Sequence, residues 1–259
     1  MHRSMIFGFA VLWAAASDPI AVADADFESI DFPTAGGFEA RADSYQPKAP
    51  SPTLIILFHQ AGWSRGEYRE IAPKLAARGY RVMAVDQRSG KGVNGVVNET
   101  AKRARSKGLA QDYLDAYSDL EAALEHARKK LKAERIIVWG SSYSASLVLR
   151  LAAEHPEQVV GVVAFSPGEY FKSGRGSAYV EDFAKRIKQP LFITSSKNER
   201  AQVKPIFDAS PSEKKILFTP ASAGQHGSRA LWEKWHDHDV YWTAIQGFLK
   251  EYAPARSGN

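Results

Sequence analysis

Short, uninterrupted apolar runs recur along the chain at residues 54–58, 82–85, 136–139, 159–165, 191–194 and 216–218. A run without polar alternation is what a parallel strand needs when both of its faces are covered. Between the runs, apolar residues return at helical spacing. The clearest stripe joins Leu109, Tyr113, Ala116, Tyr117, Leu120, Leu124, Ala127 and Leu131, and it predicts one long amphipathic helix. Further helices are expected over 67–78, 144–154, 179–188 and 229–252, the first with Pro73 inside it. Residues 27–30 and 38–44 flank Gly36-Gly37 and read as an antiparallel hairpin at the sheet edge. This alternation predicts the α/β class: a doubly wound, mostly parallel sheet with helices on both faces. Residues 26–253 form a single domain without a large cap, and 254–259 a C-terminal tail. Stretches 87–108 and 166–178 follow neither period. They are expected as loops at strand carboxyl ends, where open α/β sheets build their sites.

The first 23 residues differ in character. Arg3 precedes an uncharged apolar run over 5–16, and Ala21-Val22-Ala23 or Ala23-Asp24-Ala25 then offers a small-residue cleavage site. This is the pattern of a signal peptide cut near 23–25, too short to span a membrane. An exported protein, periplasmic or secreted, with no membrane anchor after processing is expected. The chain has 259 residues, 24% of them charged, an ordinary globular composition. Its net charge of +5 is scattered and builds no basic block with interleaved aromatics, which argues against nucleic acid as partner. There is no cysteine. Disulfides, thiolate metal sites and a thiolate nucleophile are therefore excluded.

Candidate chemistry begins at Trp139-Gly140-Ser141-Ser142-Tyr143-Ser144-Ala145, between a buried strand and an Ala/Leu-rich helix. A nucleophile on such a turn needs small neighbours two residues before and after it. Ser142 has them in Gly140 and Ser144; centring on Ser141 would put Trp139 and Tyr143 there, and Ser144 would start too far into the helix. A serine hydroxyl needs a base, usually a histidine oriented by a carboxylate. After the run 191–194 comes Ser196-Lys197-Asn198-Glu199, and after 216–218 comes Gly224-Gln225-His226-Gly227. The order Ser142, Glu199, His226 is nucleophile, acid, base, each at a strand end. His59-Gln60-Ala61-Gly62 follows the strand at 54–58, and that loop is where one backbone oxyanion donor is expected. The amide of Gln60 or Ala61 would serve together with that of Tyr143. Trp63 and His59 are the candidate substrate-binding side chains, although His59 reads more readily as a structural histidine.

These pieces, with Ala84-Val85-Asp86-Gln87-Arg88, resemble the α/β-hydrolase superfamily of serine hydrolases, nearest in pattern to its dienelactone-hydrolase-like esterases. The resemblance covers nearly all of the chain after the leader. It implies the α/β-hydrolase fold and hydrolysis of carboxylic or thio-esters of small to medium size through an acyl-enzyme, without cofactor or metal. Three departures stand out. Ser144 replaces the second glycine of the elbow, Gln60 stands where many relatives have glycine, and Asn198 occupies the usual place of the acid, with Glu199 beside it. A prolyl-oligopeptidase-like peptidase and a catalytically silent binding protein are the competing readings. His236-Asp237-His238-Asp239 reads as a polar turn, not a metal site, and Asp86 and Arg88 as loop braces. Asn98-Glu99-Thr100 fits a glycosylation sequon.

Overall fold

The computed structural model describes residues 26–171 and 176–255. The expected signal peptide lies outside those residues. The hairpin forms as β1 (Phe27–Pro33) and β2 (Glu39–Tyr45). The apolar runs become β3 (Thr53–Phe58), β4 (Arg81–Val85), β7 (Arg135–Ser141), β8 (Val159–Phe165), β9 (Leu191–Thr194) and β10 (Lys215–Phe218). They share one sheet in the order β1-β2-β4-β3-β7-β8-β9-β10. The β1–β2 and β2–β4 pairs are antiparallel and all the others parallel. From β3 the chain moves outward to β4, and from β7 it moves to the opposite edge. The adjacent carboxyl ends of β3 and β7 therefore form the switch point at which such sheets open a crevice.

Helices α1 (Ile71–Ala77) and α7 (His238–Tyr252) cover one face, and α3 (Tyr117–Lys129), α4 (Tyr143–Glu154), α5 (Tyr179–Ala184) and α6 (Arg200–Ala209) the other. Side chains alternate across β3 accordingly. Leu54, Ile56 and Phe58 join the α3–α6 core, while Ile55 and Leu57 join the α1/α7 core.

Several predicted boundaries move. The stretch 87–108 holds a small hairpin, β5 (Gly92–Val93) with β6 (Val96–Val97), and helix α2 (Glu99–Ser106). Asn98 caps α2 by accepting from the Ala101 N–H at 2.8 Å, an N-cap bond that favours helix where the apolar pattern gives no signal. The long stripe begins its helix only at Tyr117. Before it, Asp115 accepts from the Asp112 N–H at 2.8 Å, a local turn that competes with helix. Pro73 sits in the first turn of α1, where its missing N–H costs no intrahelical bond. The expected helix over 229–252 splits into a 3₁₀ turn (Ser228–Leu231) and α7. Trp232 leaves helical conformation there, giving its indole N–H to the Glu67 carbonyl at 2.8 Å and stacking on Trp63. The expected helix over 179–188 is shorter, and α6, which carries Pro205, has no counterpart in the apolar pattern. Of the expected tail, Pro254 and Ala255 belong to the domain instead, their carbonyls accepting from Thr53 and Ser51.

Candidate active site

β7 turns into α4 at Ser142, whose backbone lies at φ 59°, ψ −123°. That region costs a non-glycine residue on the order of 1–3 kcal/mol, so the surroundings must impose it. The Ser142 N–H donates to Phe165 O at 2.8 Å, and its carbonyl accepts from the Ala145 N–H at 2.9 Å. Gly140 is required by close approach. A Cβ there would stand 2.3 Å from the Ser144 carbonyl oxygen. Ser144 is accommodated because its hydroxyl donates to His59 O at 2.6 Å and accepts from Gln87 Nε2 at 2.5 Å.

Glu199 closes a 3₁₀ turn (Lys197–Glu199) after β9. Its Oε1 is hydrogen-bonded to His226 Nδ1. Its Oε2 accepts from Ser196 Oγ at 2.8 Å, Ser166 Oγ at 2.9 Å and the Ser196 N–H at 3.1 Å. Burial raises the pKa of this carboxyl, but the bonds from His226, Ser196 and Ser166 outweigh it and hold the group at about 2. The 3₁₀ turn brings Glu199 to the histidine, and Asn198 is exposed. Ser166 has φ 56°, and its hydroxyl oxygen also accepts the Gly227 N–H at 3.0 Å. One side chain thus braces both Glu199 and the loop that bears His226. Among the described residues no hydrogen bond joins Ser142 to His226; only the His226–Glu199 half is closed. Such bonds commonly tighten only when substrate is bound.

The oxyanion side requires a correction. The Gln60 N–H donates to Glu67 Oε2 at 2.7 Å, so it is committed inside the protein. Ala61, half-buried in the same loop, retains a backbone N–H without an acceptor among the described residues, as does Tyr143 at the first position of α4. His59 is also corrected: it is wholly buried and touches no solvent. Its Nδ1 pairs with Gln60 O at 2.8 Å, and its Nε2 accepts from the Gln87 N–H and meets the Asn98 amide, both at 3.1 Å. Burial pushes its pKa down to about 4, so it is neutral at physiological pH and serves as a brace. Trp63 remains at the loop's rim, half-buried, its ring 5.2 Å from that of Trp232.

Other polar motifs have internal partners as well. Asn98 is 1% exposed, so its sequon presents no accessible amide for a glycan. Asp86 accepts from the Arg65 guanidinium and the Glu99 N–H, and Arg88 pairs with Asp119 at 2.7 Å; all of these are braces. Asp237 accepts from Ser222 and His238 pairs with Trp235 O. No group of three or more His, Asp or Glu is placed to hold a metal ion among the described residues. Four side chains at the site were not anticipated. Gln87 and Ser166 open the two stretches marked as site loops. The Tyr170 hydroxyl donates to Ser166 O at 2.8 Å and faces Ser142. Glu67 carries no sequence signal, because an acidic residue at a helix start is commonplace.

A family model described as serine aminopeptidase, S33 (Hydrolase_4), matches residues 49–216. Epoxide hydrolase B of Mycobacterium tuberculosis is 30% identical over 152 residues, 54% of this chain and 38% of that protein. The chain thus spans little more than a third of that curated relative. Among solved structures, the esterase Pf2001 of Pyrococcus furiosus superposes with a TM-score of 0.65 at 18% identity, over 88% of this chain and 93% of that one. A dienelactone hydrolase from Anabaena variabilis gives a TM-score of 0.67 at 16% identity, over 89% and 99%. At these identities the superpositions speak for a shared fold.

Proposed function

Because the chain belongs to the S33 serine aminopeptidase family of α/β hydrolases, we propose that it is a serine hydrolase. Its substrates are carboxylic or thio-esters of small to medium size, cleaved through an acyl-enzyme. The observation that carries this reading is the Glu199–His226 pair at the ends of β9 and β10, on the same sheet edge as a strained Ser142 at the end of β7. With Nδ1–H held by Glu199, the imidazole presents Nε2 as a base. His226 takes the Ser142 proton as Oγ attacks the carbonyl carbon, and the Ala61 and Tyr143 N–H groups receive the charge on the carbonyl oxygen. The imidazolium then gives its proton to the departing alcohol or thiol. A water, deprotonated by the same histidine, releases the acid and restores Ser142. Glu199 keeps the ring oriented and stabilises its charge.

The first 23 residues are proposed to direct export and to be removed. A peptidase reading draws on the family's description, and one experiment separates it from the esterase. The mature protein and Ser142→Ala are assayed with p-nitrophenyl acetate and butyrate and with aminoacyl p-nitroanilides, beside fluorophosphonate labelling. Ester turnover and labelling that both vanish in the variant support the esterase. Anilide turnover alone supports the peptidase. Absence of turnover and labelling in the wild type leaves a binding role.

A further inference from the structure

Glu67 lies wholly buried behind the site. Its Oε2 accepts the Gln60 N–H and its Oε1 the Ser141 hydroxyl, both at 2.7 Å. Gln60 immediately precedes Ala61, and Ser141 immediately precedes Ser142. The Ser141 oxygen in turn accepts the Ser228 N–H at 2.9 Å, two residues beyond His226. One carboxyl therefore ties together the β3 loop, the elbow and the histidine loop.

We propose that Glu67 is a positioning residue: ionised, it clamps the Ala61 and Tyr143 amides into one oxyanion site, and protonation loosens the clamp. The catalytic consequence rests on the esterase reading; the clamp does not. Both partners donate to the carboxyl, and an ionised carboxylate offers acceptors only, so the observed arrangement fits the anion. A proton on Oε2 would oppose the Gln60 N–H. A proton on Oε1 would turn the Ser141 hydrogen elsewhere, reverse that bond into one from the acid to Ser141 Oγ, and leave Oε2 a weaker, uncharged acceptor for the Gln60 N–H. An acceptor for that hydrogen exists: Gln60 Oε1 is buried without a donor, and it and Ser141 Oγ crowd the same side of Gly227. The loosened state is thereby structurally provided for, with the links from Glu67 to Ser141 and Gln60 reversed or weakened. Around the carboxyl stand Tyr68 from its own turn and His226 and Arg229 from the histidine loop, besides the Gln60 amide and Ser141 hydroxyl. Burial is the largest influence and pushes the carboxyl up to about 7, against the bonds from Ser141 and Gln60 and the charges of His226 and Arg229. The loosening thus falls in the physiological range.

The test follows the Gln60 and Ala61 backbone amides by NMR from pH 5 to 9 in the mature wild type, Glu67→Gln and Ser141→Ala, alongside fluorophosphonate labelling rates and ester kinetics. The expected result is a shared amide transition near neutrality in the wild type. Glu67→Gln loses it, and Ser141→Ala moves it to higher pH because the anion has lost a donor. Labelling and kcat of Glu67→Gln at pH 8 should fall on the order of 10- to 100-fold with KM little changed. The acid limb of the wild-type kcat/KM profile should be steeper than that of the variant, by one additional proton. Amides that do not titrate, a transition that survives in Glu67→Gln, or wild-type labelling by that variant would overturn the proposal. Should Glu67→Gln not fold, an unshifted midpoint in Ser141→Ala overturns it and an upward shift supports it. If the amides behave as expected while the wild type neither labels nor turns over esters, the esterase reading falls and the clamp stands.

Discussion

The hydroxyl of Ser144 donates to the carbonyl oxygen of His59 at 2.6 Å, joining the first turn of α4 to the start of the β3 loop. The residue that departs from the family's second glycine thus connects the two segments that present Tyr143 and Ala61. Gln87 extends the link, donating to Ser144 and accepting the His59 N–H at 3.1 Å. Replacing Ser144 by Gly removes this tie without crowding the elbow. The expected outcome is a protein that folds, with kcat reduced on the order of 10-fold and KM nearly unchanged, read from steady-state ester kinetics.

Ser142→Ala should abolish fluorophosphonate labelling and lower ester turnover by at least about 10³-fold. Its circular dichroism should match the wild type.

Glu199→Gln keeps the size of the acid but not its charge, and kcat should fall by about 10²–10⁴-fold. The sign of the stability effect follows from the carboxyl being held at about 2, below its usual 4.5. Its contribution is present above pH 4.5 and is lost as pH falls towards 2. Thermal unfolding should therefore show a wild-type advantage on the order of 2 kcal/mol near pH 6 that shrinks from pH 4.5 downward and closes only below about pH 2.

For Glu67 the sign is opposite. The folded carboxyl lies near 7, above its usual 4.5, so the native state binds the proton more tightly, and stability declines as pH rises from 4.5 through 7. Glutamine lacks that titration. The stability of Glu67→Gln relative to wild type should improve between pH 5 and pH 8, by up to about 3 kcal/mol, measured by urea unfolding at each pH. Greater stability with slower chemistry would mark a site retained at the cost of fold stability.

His59→Ala should leave the Gln87 N–H without its acceptor in the interior, a loss of about 1–3 kcal/mol beyond the cavity. The urea midpoint should drop. The pH profile of any surviving activity should keep its shape, since the imidazole is already neutral above about pH 4.

The sheet was legible because both-sided burial writes an unbroken apolar run, and each run became a strand. The elbow was legible because Gly140 is dictated by a close backbone approach. The limits lie where polar contacts, local or distant, decide and the apolar pattern is silent. Asn98 starts α2 through a cap, Asp112 and Asp115 delay α3, and Trp232 breaks the last helix to reach Glu67. Nothing local distinguishes Gln60 from Ala61 as donor. A glutamate seven residues downstream takes one amide and leaves the other.

The pairing of β3 with β7 has a consequence for how the molecule comes into being. Thr53 lies opposite Arg135 and Phe58 opposite Gly140, so the loops carrying Ala61 and Tyr143 become neighbours only once a long intervening chain has closed. Contacts of that kind form slowly, because the entropy of loop closure must be lost before the pairing can compensate. Regain of activity on refolding should lag behind regain of helical signal. A chain emerging from synthesis cannot bring the Ala61 and Tyr143 amides together until its second half has joined the first.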